Sequence, residues 1–571
     1  MKSRAFLTIC LFLTGSLLYA KPNSLDRSRV IKDSIEIKID TMIAQMGLSA
    51  KTPGGVVGII KNGKLIFKKA YGLANLETGE PIKTSTLFNL ASVSKQFTAA
   101  AILILAKENK LSLKDDIRKY LPDFPDYGYT ITIENLIHHT CGVKSYDVLK
   151  LMAGTSNSKE DQEEIYHLIA NQKSLNFIPG NEFLYSNSGY ILLAKIIEKT
   201  SGMKFSNFIE EKIFQPLGMN HTDIYDKPGQ VVKNSAAGHT RQGADKFNKT
   251  AEITSTVVGQ SNIYTSVEDF LRWDNNFYKN KLGKWDFSKE MTSLSTLKNG
   301  DICKYAFGLE VSEHNGLKTI THQGGTLDFT AQFIQIPSEK FSVIVLFNAP
   351  VDATGLAYQI ADLYFKGKPK TIHVLSPPVK TMVDSTVLQA YAGKYFDEDH
   401  WNEVTISRDG DHLAMDGPYQ DRIELNPSSD SSFFTKFADL GFIFNKGING
   451  KNTSLTVIQG NQKFKLTYLG PDEVPVKTEK LSRYAGNYYC EEINVTYPVL
   501  FKDNKLFVKF PVLTARATNI PVESELLSEH EDYFASPISI FKFSRDTENE
   551  ISGFIIKDVG RVRNLVFKKV K

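Results

Sequence analysis

Cysteine is scarce: the 571-residue chain has four, and one of them, Cys10, falls in a short apolar leader. Cys141, Cys303 and Cys490 remain, odd in number and far apart, which excludes a disulfide framework and any zinc spacing. Long apolar runs are lacking too. The one such stretch lies in MKSRAFLTICLFLTGSLLYA and, at about fifteen residues, falls short of the ~20 that a spanning helix needs. Its basic start and the small residues near Ala20 make it a secretory signal, with the mature chain beginning at Lys21 in a secreted or periplasmic protein. A large charge of one sign is also absent. The formal net charge is +4, and Lys2 and Arg4 of the leader contribute to it, which excludes a polyanion-binding surface and a nucleic-acid partner.

What is present is the composition of a folded globular protein, 42% hydrophobic and 23% charged, in a chain too long for one core. Val30, Ile31, Ile35, Ile39, Met42, Ile43 and Met46 recur at helical spacing. GGVVGII, Lys61-Asn62-Gly63 and KLIFKKAYG then spell a β-hairpin, because Asn-Gly accepts the positive φ angles of a tight turn. Residues 92 to about 250 read as mostly helical, and strands return in YAFGLEV, LKTITH, AQFIQIP and FSVIVLFN before a last helix ending near residue 366. Strands at both ends with helices between predict an α+β unit: an antiparallel sheet flanked by helices, with an inserted helical subdomain and a cleft between the two parts.

Ser-x-x-Lys occurs five times, beginning at Ser92, Ser156, Ser201, Ser295 and Ser539. Only Ser92-Val93-Ser94-Lys95 opens an almost unbroken apolar helix, QFTAAAILILAKE, where burial can lower a lysine pKa far enough for it to serve as the base a serine hydroxyl needs. Spacing of three places Lys95 beside Ser92. Two further segments supply partners. Tyr185-Ser186-Asn187 precedes another apolar helix and offers a proton relay and an amide. His322-Gln323-Gly324-Gly325 ends a strand, where glycines let backbone N–H groups approach a substrate oxygen. His314-Asn315-Gly316 repeats the pattern but reads as a hairpin turn.

On these residues, and on LFNLASVSKQFT, KLSLKDDIRKYLPDFP, ENLIHHTCG, PGNEFLYSNSGY and IFQPLGMNHT, residues 30 to 366 resemble the serine β-lactamase and penicillin-binding protein superfamily. The likeness is to its class C β-lactamase-like branch, with D-aminopeptidases and esterases. The resemblance implies Ser92 as nucleophile and Lys95 and Tyr185 as proton-transfer groups. It implies Asn187, His322 and Gly324 at the substrate, and Ser92 and Gly325 N–H groups as oxyanion hole, with no metal or cofactor. Lys-Thr-Gly, usual in efficient members, is replaced by His-Gln-Gly, so a carboxylate anchor at His322 is expected to be weak and pH-dependent, and strong β-lactam turnover is not expected. Gly259-Gln260-Ser261-Asn262-Ile263-Tyr264 also departs, with Ser261 and Asn262 where relatives often carry paired glycines. His138-His139-Thr140-Cys141 reads as a helix end beneath the site rather than a metal cluster.

Beyond a proline-bearing linker at 367–386, Leu388-Gln389-Ala390-Tyr391-Ala392-Gly393-Lys394-Tyr395 recurs as Leu481-Ser482-Arg483-Tyr484-Ala485-Gly486-Asn487-Tyr488. The expected organisation is a leader at 1–20, a hydrolase domain at 21–366, the linker, and two small all-β barrel or sandwich domains at 387–470 and 471–571. The tail resembles barrels appended to certain D-aminopeptidases, and two roles are open for it: a barrel loop reaches over the cleft and restricts it to short substrates, or the barrels stabilise the enzyme or set its oligomeric state. The expected activity is acyl transfer to water from a short peptide, amide or ester, most specifically one containing a D-residue. A β-lactamase or penicillin-binding protein is the alternative, and a non-catalytic receptor of cell-wall fragments or polysaccharide is the alternative of another class. A homo-oligomer is compatible with the sequence.

Overall fold

The computed structural model describes residues 24–155, 160–242, 246–250, 255–365, 382–399, 402–417, 422–435, 440–447, 450–459, 462–470 and 478–570. The expected leader and most of the expected linker lie outside them. Helix α1 (Ser24–Gln45) precedes strands β1 (Gly55–Lys61) and β2 (Lys64–Tyr71), joined by a turn in which Asn62 and Gly63 have φ of 52° and 74°. Both values are positive, as the Asn-Gly pair predicts. The other strands come from the far end of the domain: β3 (Glu310–His314), β4 (Leu317–Gly325), β5 (Thr330–Ile336) and β6 (Phe341–Phe347). The sheet runs β3-β4-β5-β6-β1-β2, antiparallel throughout, and Gly55 pairs with Phe347 where the two ends meet. His314-Asn315-Gly316 forms the β3–β4 turn.

Side chains alternate across the sheet, so each face has its own core. Val57, Ile59, Val343 and Val345 pack with Ile39 and Ile43 of α1 and with Leu356 and Ile360 of the helix Ala353–Tyr364. Val56, Ile344 and Leu346 face the helical part instead. There α2 (Lys95–Lys107) is buried from Lys95 to Leu105, which accounts for its apolar run. Around it stand α3 (Ile133–Ile137), α4 (Tyr146–Ala153), α5 (Gln162–Ala170) and α6 (Asn187–Ser201).

The tail forms two closed barrels of eight consecutive antiparallel strands, at 393–470 and 486–570, so barrels rather than sandwiches are observed. A helix, Ser385–Tyr391, capped by Asp384, begins inside the segment read as linker. The repeated motif does the same work in each copy. Tyr395 Oη donates to the Tyr391 carbonyl at 2.8 Å, and Tyr488 Oη donates to the Tyr484 carbonyl at 2.6 Å. Gly393 and Gly486 between them have φ of 141° and 149°, a region that disfavours any side chain.

The second barrel is not a separate appendage. Leu149 and Met152 of α4 are fully buried in its core beside Tyr497, Phe510 and Ala515. Tyr497 Oη donates to the Met152 carbonyl at 2.7 Å, and Thr514 Oγ1 to the Leu151 carbonyl at 2.6 Å.

Candidate active site

Ser92 lies in a 3-10 turn, Ala91–Ser94, that leads into α2. Ala91 has φ of 46°, an unusual conformation for a non-glycine residue, held by the Ala91 N–H donating to Asn89 Oδ1 at 2.8 Å. The Ser92 N–H finds no acceptor among the described residues. Strand β4 supplies the opposite wall. Its residues up to Thr321 pair with β3, but His322 to Gly325 run past the end of β3 and pair only with β5. A β-carbon on Gly324 would lie 2.2 Å from the Leu90 carbonyl oxygen, so only glycine lets this strand approach the Ser92 turn. At Gly325 nothing lies within 4 Å of the equivalent position, and the residue is exposed.

Lys95 is completely buried, and its Nζ donates to Ser92 Oγ at 3.0 Å, to Asn187 Oδ1 at 2.9 Å and to the Gln260 carbonyl at 3.0 Å. Burial holds its pKa well below the ordinary lysine value; the nearby Arg561 charge adds to this and Asp147 opposes it. A lysine that gives up its ammonium proton keeps a lone pair to accept one from Ser92 Oγ. With the Lys95 lone pair directed at Ser92 Oγ, its N–H groups donate to the other two partners, so Asn187 turns its oxygen to Lys95, and its Nδ2 remains without a partner among the described residues. The Asn187 N–H donates to Ser145 Oγ at 3.0 Å, which fixes the start of α6.

The Tyr185 ring is half-buried, 5.0 Å from Lys95 Nζ. Burial raises its hydroxyl pKa, while a hydrogen bond with Ser92 and the Arg561 charge work the other way. Tyr185 packs against His139, ring centroids 4.2 Å apart, within a cage that includes Tyr190 and Tyr305. His139 is fully buried at φ of 57° and its Nδ1 accepts from the Ser186 N–H at 3.2 Å. His138 caps α3 and donates from Nδ1 to the Tyr305 carbonyl at 2.7 Å, so the two adjacent imidazoles serve packing in different directions.

His322 departs from the expected weak anchor. Its Nδ1 meets the Gln323 carbonyl at 2.6 Å and must therefore donate, which leaves Nε2 to accept from Tyr305 Oη at 2.8 Å. The ring is buried, and burial, followed by the Lys95 charge, pushes its pKa down to about 3. With both nitrogens occupied and no charge, it can hold Tyr305 in place but cannot grip a carboxylate at neutral pH.

Three contributors escaped the sequence. The Gln260 carbonyl is the third acceptor on Lys95, in a loop where Asn262 takes φ of 74° and ties its Nδ2 to the Ser255 and Val257 carbonyls at 3.0 and 3.1 Å. Asn262 therefore occupies the left-handed conformation that a glycine would accept without help. Ser145 positions Asn187. Arg561 arrives from the second barrel, at the tip of the turn between Val559 and Val562, with its Cζ 4.9 Å from the Tyr185 ring centre. The Arg561 carbonyl accepts from the Ser145 N–H at 3.3 Å and from Asn176 Nδ2 at 3.1 Å, and Asn176 Oδ1 accepts from the Arg563 N–H at 2.7 Å. No side-chain pattern announces a backbone carbonyl, and a turn arginine in a distant barrel carries no local mark of its destination.

A serine bonded to a buried lysine, on a sheet-and-helix fold of this topology, defines a β-lactamase-like serine hydrolase. The Beta-lactamase family matches residues 39–365, and the chain belongs to that family. Among its relatives is Penicillin-binding protein 4* of Bacillus subtilis (strain 168), 27% identical over 426 residues that span 72% of this chain and 94% of that protein. D-aminopeptidase of Brucella anthropi is 25% identical over 326 residues, which span 57% of this chain and 62% of that protein. The structure of an octameric penicillin-binding protein homologue from Pyrococcus abyssi shares the fold, with a TM-score of 0.53 at 23% identity, covering 76% of this chain and 99% of that one. Among the described residues no helix is long and apolar enough to cross a membrane.

Proposed function

We propose that the protein is an exported hydrolase that forms an acyl-enzyme on Ser92 from small amides or esters, chiefly short peptides with a D-residue at the scissile bond. The observation that carries this reading is the contact of buried Lys95 with Ser92 Oγ at 3.0 Å. Neutral Lys95 accepts the Ser92 proton as Oγ bonds to the substrate carbonyl carbon, and the carbonyl oxygen gains the electron pair. The Ser92 and Gly325 N–H groups stabilise that oxyanion. Collapse expels the amine or alcohol, which takes a proton delivered through Tyr185 and Lys95. Water, deprotonated by the same pair, then cleaves the ester and restores Ser92. Asn187 Nδ2 donates to a substrate carbonyl. The D-residue preference is supported by the relative named D-aminopeptidase, and export by the leader-like start of the sequence.

The test is intact mass after exposure to a fluorophosphonate and, separately, to a penicillin, for wild type and Ser92→Ala, followed by D- and L-aminoacyl panels. The expected result is a fluorophosphonate adduct lost in Ser92→Ala and faster turnover of the D-series. No adduct and no turnover from folded wild type would replace this reading with the receptor.

A further inference from the structure

The cleft lacks the cation expected from its third motif, because His322 is neutral and both its nitrogens are occupied. A guanidinium stands beside Tyr185, with the Arg561 Cζ 4.9 Å from its ring centre. The Arg561 side chain remains 40% exposed, and its one ion pair among the described residues, with Asp147 Oδ2, is 3.4 Å long. Its other N–H donors have no acceptor among the described residues. The residue is nevertheless held firmly. Its carbonyl is bonded by Ser145 and Asn176, the next strand is bonded by Asn176 Oδ1, and Arg563 pairs with Glu182 at 2.8 Å. Asp147 Oδ1 in turn accepts from Ser145 Oγ at 2.5 Å, and Ser145 Oγ accepts from the Asn187 N–H. A polar chain thus links the guanidinium to the residue that also touches Lys95.

The geometry points to Arg561 as a substrate-binding residue, selecting acyl substrates that carry a carboxylate within about two residues of the scissile bond. This rests on the acyl-enzyme reading above. A guanidinium offers parallel donors to a carboxylate, and a partly desolvated one binds it more strongly than a surface lysine would. The distance fits. Lys95 Nζ and Arg561 Cζ lie 5.0 and 4.9 Å from the centre of the same Tyr185 ring and are therefore at most about 10 Å apart; a guanidinium–carboxylate contact takes up about 3 Å of that, and two extended residues at roughly 3.5 Å each span the rest. The barrel would then supply, from outside the hydrolase fold but within the same chain, the charge that His-Gln-Gly lacks.

The experiment uses the full chain and two D-alanyl depsipeptides identical except for a terminal carboxylate or carboxamide. Values of kcat and KM are measured separately for wild type, Arg561→Ala, Arg561→Lys and Arg561→Glu. Wild type is expected to prefer the carboxylate at least tenfold in kcat/KM. Arg561→Ala should bring the ratio to about one, mainly through the KM for the carboxylate; Arg561→Lys should keep an intermediate ratio and Arg561→Glu should favour the carboxamide. Equal loss on both substrates in Arg561→Ala, or no preference in wild type, overturns the assignment. Should the alanine variant fail to fold, the lysine and glutamate variants give the same ratio test. Fluorophosphonate labelling of the same wild-type sample separates the two readings. Labelling without preference removes this inference alone, and no labelling removes both.

Discussion

At Lys95, burial and the nearby Arg561 charge both disfavour the ammonium form, so the neutral state, which the proposed mechanism requires, is reached well below the pH at which a free lysine deprotonates. The acidic limb of kcat/KM should report this group. Removing one positive neighbour in Arg561→Ala should move that limb to higher pH, and Asp147→Asn, which removes the opposing charge, should move it to lower pH; pH–rate profiles check both shifts. Lys95→Arg keeps the charge but not the base and should cost about 10²–10⁴ in kcat. His322 bears on stability rather than on charge at the substrate. Its folded pKa, about 3, lies below the ordinary 6.5, so its contribution is complete above pH 6.5 and is lost as pH falls toward 3. A His322→Gln variant that still folds should therefore lose less stability than wild type between pH 6 and pH 4, by up to about 1.4 kcal/mol per pH unit. Parallel denaturation curves for the two proteins would refute this.

Among the elements, α4 does two jobs. Its first residues stand beside the Asn187 support, and its last turn is buried in the second barrel through Leu149 and Met152. Truncating Leu149 to alanine should cost about 2–5 kcal/mol, the range for a buried leucine, and should appear in thermal unfolding as a loss of barrel stability. The turns were the most legible part of the chain. Asn62-Gly63 and Asn315-Gly316 both take the positive φ that their residue types suggest. The motif serines and lysine were legible because an apolar helix following Ser-x-x-Lys is rare within this chain. What the sequence did not disclose depends on backbone atoms or on remote packing. The Gln260 carbonyl has no side-chain signature, the saturation of His322 requires Tyr305 to be folded against it, and the destination of Arg561 depends on how a whole barrel docks.

Across the whole molecule, that docking has an electrostatic pin. Lys144 of the hydrolase domain is 0% exposed and Glu492 of the second barrel 5%, and Lys144 Nζ meets both carboxylate oxygens at 2.9 Å while also donating to Ser174 Oγ at 3.0 Å. Burial raises the Glu492 pKa and the lysine offsets it. An ion pair this buried gains little over an apolar pair of equal size, yet either charge left alone is costly. Lys144→Met and Glu492→Met should each lose about 3–5 kcal/mol, whereas the double substitution should recover most of it. The barrel also covers Leu149 and Met152, so deleting residues 380–571 should yield an aggregating hydrolase domain rather than one with broader selectivity. The single ion-pair variants serve better, because undocking should release the Arg561 turn as it lowers stability. Urea titration followed by proteolysis of the hairpin reads both effects, and the double variant should restore them together. A single variant with wild-type stability and an intact hairpin would mean that α4 burial alone holds the barrel. Recovery of stability in the double variant without recovery of hairpin protection would mean that the pin positions the turn, and hence Arg561, by its geometry and not by its energy.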